Sequence, residues 1–514
     1  MSLQKLFSLF VLILLVSSCS DRDELLQPLP DGGLLKVKAD APAVPEGDPI
    51  TREKLDNTLI NLLEARNGFD WSWLDLKTTW STLQYGDGVV AIGYQPAGTT
   101  GLDANIHRVD VRSGAWKAVH DALIAQIKQD LESLSGQPVR WEEILVEDDP
   151  VLPILTLKLT DKTVLTRLAS LENVRYIEPL GYWPSSMARS TSGCSPSSYG
   201  LNAADYSSIL PSCILPWNFN NHQIPTAWNN AQGSGITVGV IDAGLSSLQP
   251  LLGAQFNDGY SATGRTVTTD YTWGTSAFSS CSHGTSMSAA AVGPRNASGA
   301  ATGVAYKSNL HFIRAAEDVV LDLSSEKTAV KNAMIRMGDR ASVRIISLSM
   351  GTPFGSSVLR DGVNYAYNKG KLIFAAAGTS FGLTTWWGVI YPAAYSSCVA
   401  VTGVKENGSR CAACHDGSAV MYTICMERSS DSNRNSLSLS PSGVTPSYIG
   451  GSSVATATTA GIAALVWSAK PNMTRSQVMT CLTNTAQFYP TRNSTKGFGN
   501  INASSAVSFA LSNY

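Results

Sequence analysis

Gly451-Ser452-Ser453-Val454-Ala455 heads a run of small residues. Ala455, Ala457, Ala460, Gly461, Ala463 and Ala464 recur at helical spacing, which predicts a slender helix able to cross a domain centre. Upstream, in this order, stand Asp242 in Val240-Ile241-Asp242-Ala243-Gly244 and His283 in His283-Gly284-Thr285. A hydroxyl is a poor nucleophile at neutral pH until a base takes its proton. An imidazole can be that base, and a carboxylate can fix its tautomer. Asp242 ends the β-branched run Ile236 to Ile241, and open parallel sheets place their sites beyond such strand ends. Ser453 at a helix N-terminus gains free backbone N–H groups for an oxyanion. The trio therefore reads as a serine-nucleophile hydrolase, with Asp242, His283 and Ser453 catalytic. Of the other histidines, His107 and His120 fall in the N-terminal half and His311 lies inside a strand pattern.

Working outward, strand and helix signals alternate. Leu310 to Arg314, Val343 to Leu348, Lys371 to Ala376 and Cys398 to Val401 read as strands. Ser286 to Val292, Glu326 to Met337, Val358 to Lys369, Val454 to Lys470 and Arg475 to Thr485 read as helices. Such alternation predicts an α/β fold, a parallel sheet covered by helices on both faces.

The order Asp, His, Ser with these flanks resembles the subtilisin-like serine proteases (subtilases), and the resemblance covers residues 216–514. Ile224-Pro225-Thr226-Ala227-Trp228 resembles the helix that opens mature members. Against the family pattern Gly-Thr-Ser-Met-Ala, Ser452 replaces Thr and Val454 replaces Met. Ala457 replaces the usual Pro and Thr458 the usual His. Lys371 to Gly378 resembles the strand leading to the family's oxyanion asparagine, but Thr379 stands there. The resemblance thus implies an oxyanion site from Thr379 and the Ser453 N–H. It implies peptide pairing along Ser349, Met350 and Gly351, with Ala376, Ala377 and Gly378 as the opposite wall of the S1 pocket. A broad, apolar-leaning preference follows, because no acidic cluster lies in these segments. No metal or cofactor is expected. Family members often bind calcium, yet no loop has a diagnostic ligand spacing.

The N-terminal half carries other signals. Lys5 and the apolar Leu6 to Val16 form an export signal too short to span a bilayer as a mature helix. It ends Val16-Ser17-Ser18-Cys19, which resembles a bacterial lipobox with Cys19 as the lipidated first residue. The expected segments are a signal peptide over 1–18, a mobile polar linker over 19–48 and a helical segment over 49–87. Residues 88–182 read as β-α-β-β-α-β, a ferredoxin-like arrangement. The strands are Val89 to Tyr94 or Asn105 to Val111, then Val139 to Val146, Leu152 to Leu159 and Asn173 to Ile177. This resembles the subtilase propeptide, a folding assistant and inhibitor. A Ser-rich connector over 183–215 would hold the processing site, with the catalytic domain at 216–514.

Net charge is −2 and no basic stripe appears, so nucleic acid is not an expected partner. The expected partners are peptide substrates, the chain's own propeptide, and a membrane through the lipid. The expected place is the bacterial outer membrane or cell surface, or secretion after processing. Beyond Cys19, eight cysteines lie after residue 190, an even number that suggests disulfides in an exported chain. Their pairings number on the order of a hundred and stay open. Cys411-Ala412-Ala413-Cys414-His415 matches the haem-attachment pattern, but one copy in a polar loop reads better as disulfide cysteines beside a histidine. The rival to the peptidase is an inactive member of the fold serving as a surface binding protein, motivated by Thr379 and Ala457.

Overall fold

The computed structural model describes residues 33–187, 194, 197, 199–380 and 388–514. Cys19 and the export signal lie outside these residues. In the N-terminal part, helices α1 (Arg52–Arg66) and α2 (Leu76–Tyr85) precede strand β1 (Val89–Tyr94). Then follow α3 (Gly114–Ser135), β2 (Leu145–Asp148), β3 (Ile154–Lys158), α4 (Lys162–Ala169) and β4 (Val174–Pro179). The Asp161 carboxylate starts α4 by accepting from the N–H groups of Thr163 and Val164 at 2.8 and 3.1 Å. The strands form an antiparallel sheet in the order β2-β3-β1-β4, as the ferredoxin-like reading requires. Two details differ from expectation. Trp141–Ile144 is a helical turn rather than strand, and Asn105 to Val111 contains a 3-10 turn. The described part of the linker is tied down. Val37 bridges Leu171, and the Lys38 N–H reaches the Ser170 carbonyl at 2.7 Å.

The C-terminal part opens with the hairpin β5 (Tyr206–Ile209) and β6 (Cys213–Pro216). The strands β7 (Thr237–Asp242), β8 (Val267–Tyr271), β9 (Asn309–Arg314), β10 (Val343–Leu348), β11 (Leu372–Ala376), β12 (Val399–Lys405) and β13 (Val420–Glu427) follow. They make a seven-stranded sheet in the order β13-β12-β11-β10-β7-β9-β8, and each neighbouring pair is parallel. Alternate residues feed two cores. Val238, Val240, Ile345 and Phe374 pack on one side with helices α5 (His283–Val292) and α8 (Gly451–Ala469). Ile241, Ile346 and Ile373 pack on the other with α6 (Ser324–Asp339) and α7 (Ser357–Asn368). The hairpin, expected in the connector, is built into this unit. Ile214 exchanges backbone hydrogen bonds with Ala300 and Thr302 at 2.9 and 3.0 Å.

Helix α8 is buried from Gly451 to Trp467. It is long and apolar enough to cross a bilayer, but it is the core helix of this unit. Its small residues have a steric reason. A Cβ on Gly461 would lie 2.6 Å from the Val304 Cβ and 2.9 Å from the Ala291 carbonyl oxygen. Glycine there lets α8 lie directly against α5.

The N-terminal module docks on α6 and α7 through buried charge. Lys331 bonds Glu147 at 2.7 Å and also pairs with Asp149. Arg175 makes a two-pronged bond to Asp361 at 2.9 and 3.0 Å. The Lys327 ammonium donates to the Leu180 carbonyl at 2.6 Å. The Trp-rich stretch also finds its place here, since Phe69, Trp71, Trp183 and Met187 cluster around Phe354. Removing one partner of a buried pair strands the other charge, at a cost of about 3–5 kcal/mol. Lys331→Ala is therefore expected to lower the full chain's stability by about that amount, read by denaturant unfolding.

Candidate active site

Asp242 is the last residue of β7 and fully buried. Its Oδ1 accepts the Ala243 N–H at 2.8 Å and lies 2.7 Å from His283 Nδ1. His283 opens α5, where Gly284 permits the approach: a Cβ there would stand 2.4 Å from the Gly244 carbonyl oxygen. Burial disfavours the charged imidazole, but the neighbouring Asp242 carboxylate outweighs it and holds the His283 pKa above 6.5. Asp318 adds to this pull, while burial raises its own carboxyl above the usual range.

Ser453 sits in the first turn of α8, with its backbone N–H among those a helix start leaves free. Ser453, His283 and Thr379 line one cavity of about 470 Å³. Gly451 begins the helix at φ +78, and a side chain there would press on the Thr379 hydroxyl at 2.6 Å. Thr379 Oγ1 accepts the Ser452 N–H at 3.0 Å and lies 3.0 Å from Ser452 Oγ. Ser452 Oγ in turn accepts the Gly378 N–H at 3.0 Å. When Ser452 donates to Thr379, both Thr379 lone pairs are used and its own hydrogen is free for an oxyanion.

The remaining predicted residues stand beside the cavity without lining it, and Ser349 Oγ donates to the Ser453 carbonyl at 3.1 Å. Ser349, Met350, Gly351, Ala376, Ala377 and Gly378 are buried, and none lines this cavity. The Gly351 N–H donates to the Val319 carbonyl and its carbonyl accepts from Leu321, each at 2.9 Å. That part of the expected peptide edge is paired within the chain. The cavity opens instead towards Cys411, Ala412, Ala413, Glu427 and Asn435. Cys411 and Cys414 form a disulfide there. His415 lies 2.8 Å from the Gly388 carbonyl through Nδ1 and 2.9 Å from Ser380 Oγ through Nε2. A second disulfide joins Cys194 and Cys281. Cys213, Cys398, Cys425 and Cys481 are unpaired. Among the described residues no group of three His, Cys, Asp or Glu side chains is placed to hold a metal. Sequence reasoning missed Ser282, the chain neighbour of His283, and also Asp318 and Glu427, which folding brings to the site.

Residues 233–500 match the Subtilase family, Peptidase S8. The chain belongs to that family. It is therefore a subtilisin-like serine peptidase. It is 30% identical to thermitase of Thermoactinomyces vulgaris over 289 residues, 56% of this chain and 94% of the relative. With subtilisin Savinase of Lederbergia lenta it shares 28% over 298 residues, 57% and 98% of the two chains. Among solved structures, MycP1 from Mycobacterium smegmatis aligns at 20% identity and TM-score 0.47, covering 59% of this chain and 87% of that one.

Protonated imidazole cannot act as a base, so a role for His283 fixes the pH dependence. With His283 as base, activity is expected to be lost as pH falls through its raised pKa, and the acid limb of kcat/KM is expected to have its midpoint above 6.5. Asp242→Asn removes the carboxylate that raises it. It is expected to cut kcat by about 10⁴-fold and to move any residual acid limb lower.

Proposed function

We propose that this subtilase is an exported serine endopeptidase made as a zymogen, with Asp242, His283 and Ser453 as its catalytic triad. Ser453 Oγ attacks the scissile carbonyl carbon as His283 Nε2 takes its proton. Asp242 holds the imidazole at Nδ1 and stabilises the imidazolium. The tetrahedral oxyanion faces the Ser453 N–H and the Thr379 hydroxyl. His283 returns the proton to the leaving amine, and water then cleaves the acyl-enzyme through the same base. One observation carries this reading. The buried His283–Asp242 bond and Ser453 face a common cavity at the carboxyl end of β7.

In this reading the module at residues 88–182 is the inhibitory propeptide. Its docking through Lys331 and Asp361 and the position of Ser197 in the cavity wall support that role. Peptide would still approach Ser349 to Gly351 and Ala376 to Gly378, with the loop at 319–321 giving way along part of the edge. Cys19 is the proposed lipid attachment, which would hold the protein at an outer membrane or cell surface until processing frees it.

Thr379 favours one second reading, a catalytically weak member used as a surface binding protein. Loss of an oxyanion donor costs on the order of 100- to 1000-fold in turnover, a magnitude known from a subtilisin. If the Thr379 hydroxyl donates, Thr379→Val is expected to lower kcat by about 100-fold with little change in KM. A Thr379→Val protein as active as wild type would leave the Ser453 N–H as the oxyanion donor.

The peptidase reading predicts that a fluorophosphonate labels Ser453 and that casein turnover vanishes in Ser453→Ala. Intact mass and N-terminal sequencing of both proteins are expected to show processing in wild type alone, with a lipid at Cys19 in the unprocessed form. A wild-type protein that neither takes the label nor cleaves casein would leave the binding-protein reading standing.

A further inference from the structure

The residue that holds the start of the His283 helix comes from outside the sheet. Helix α5 begins at His283, and its N-cap residue Ser282 makes no side-chain cap. Both donors of Ser282 turn instead to one acceptor on the connector. Its N–H donates to the Cys194 carbonyl at 3.1 Å, and its Oγ donates to the same oxygen at 3.0 Å. One residue earlier, Cys281 is covalently bonded to Cys194. Ser282 and Cys281 are buried at 3% and 5% exposure, and Cys194 is half-buried. Further along the connector, Tyr199 bonds Asp431 at 3.0 Å and packs on the Tyr448 ring.

A helix end without a cap has several loose backbone donors, and its first turn frays most readily. His283 occupies that first turn. Asp242 restrains the ring at Nδ1. The turn after His283 is tied by the Ser246 N–H to Thr285 Oγ1 at 2.7 Å and by Ser286 Oγ to the Leu439 carbonyl at 3.1 Å. On the side before His283 the helix start is held by Cys194. We propose that Cys194 is a positioning residue for His283. By its cross-link to Cys281 and its two hydrogen bonds from Ser282, it fixes the start of α5 and so the reach of the imidazole towards Ser453. The proposal rests on the peptidase reading of the triad. It adds a residue from the connector that touches no substrate and acts through the backbone of another.

The test compares wild type with Cys194→Ser/Cys281→Ser in the full chain, with active sites counted by fluorophosphonate. A misplacement of about 1 Å can cost on the order of 100-fold in rate. The double variant is expected to lose about ten- to a hundredfold in kcat per active site, with KM nearly unchanged. Its acid limb is expected to shift towards 6.5 as the ring slackens against Asp242. Amide exchange over residues 282–286 is expected to quicken. A purely stabilising cross-link predicts otherwise, and that outcome overturns the proposal. The thermal midpoint would fall while kcat per active site, the pH profile and exchange at α5 stayed as in wild type.

Should the double variant not fold, Ser282→Ala keeps the cross-link and removes one donor. A lower kcat and faster exchange over 283–286 support the clamp, and no change in either overturns it. If wild type itself neither cleaves casein nor takes the label, the peptidase reading fails. Exchange at α5 then still decides whether Cys194 holds the helix.

Discussion

Two helices must come very close for this site to exist, and missing side-chain volume is what allows it. The hydroxyl rides on α8 and the imidazole on α5, so their separation is set where the helices cross. Gly461 on α8 faces the Ala291 carbonyl and Val304 with no room for a methyl group. Gly284 does the same service between α5 and the loop after β7. Protein interiors are packed almost to crystal density, so an added carbon cannot be absorbed locally. It would push α5 and α8 apart, and the site would open even though each residue of it remained present.

The same economy of space explains which features could be read from the chain. Asp242, His283 and Ser453 could be singled out as the proposed triad because each sits in a short local string whose meaning does not depend on distant contacts. Strands β7 and β9 to β12 were legible as apolar runs buried on both faces. Strand β8 was not, since Val267-Thr268-Thr269-Asp270-Tyr271 lies at a sheet edge and leaves most of its side chains in contact with water. Val139 to Val146 reads as strand by composition, but packing turns its middle into a helical turn before β2.

The finer parts of the site were hidden for a different reason. The pairing of Thr379 with Ser452 joins residues 73 positions apart. The partner of Cys281 lies 87 positions away in a Ser-rich stretch that looks like plain connector. No periodicity or motif records such contacts. Local chemistry pointed to the proposed reacting groups, whereas long-range closure determines how they are held. The buried peptide edge at Gly351 belongs to the same class, because its partners at 319–321 come from a loop without a sequence signature.

The docking face on α6 and α7 has a consequence for handling the protein. Lys327 and Lys331 stand one helical turn apart and are covered in the full chain, as is Asp361, which Arg175 neutralises. Departure of the N-terminal module would bare this strip and strip both lysines of their partners. The C-terminal unit alone would then carry a cationic surface that the full chain conceals. A cation-exchange resin at low salt offers a direct way to resolve the two forms, with the shorter one retained.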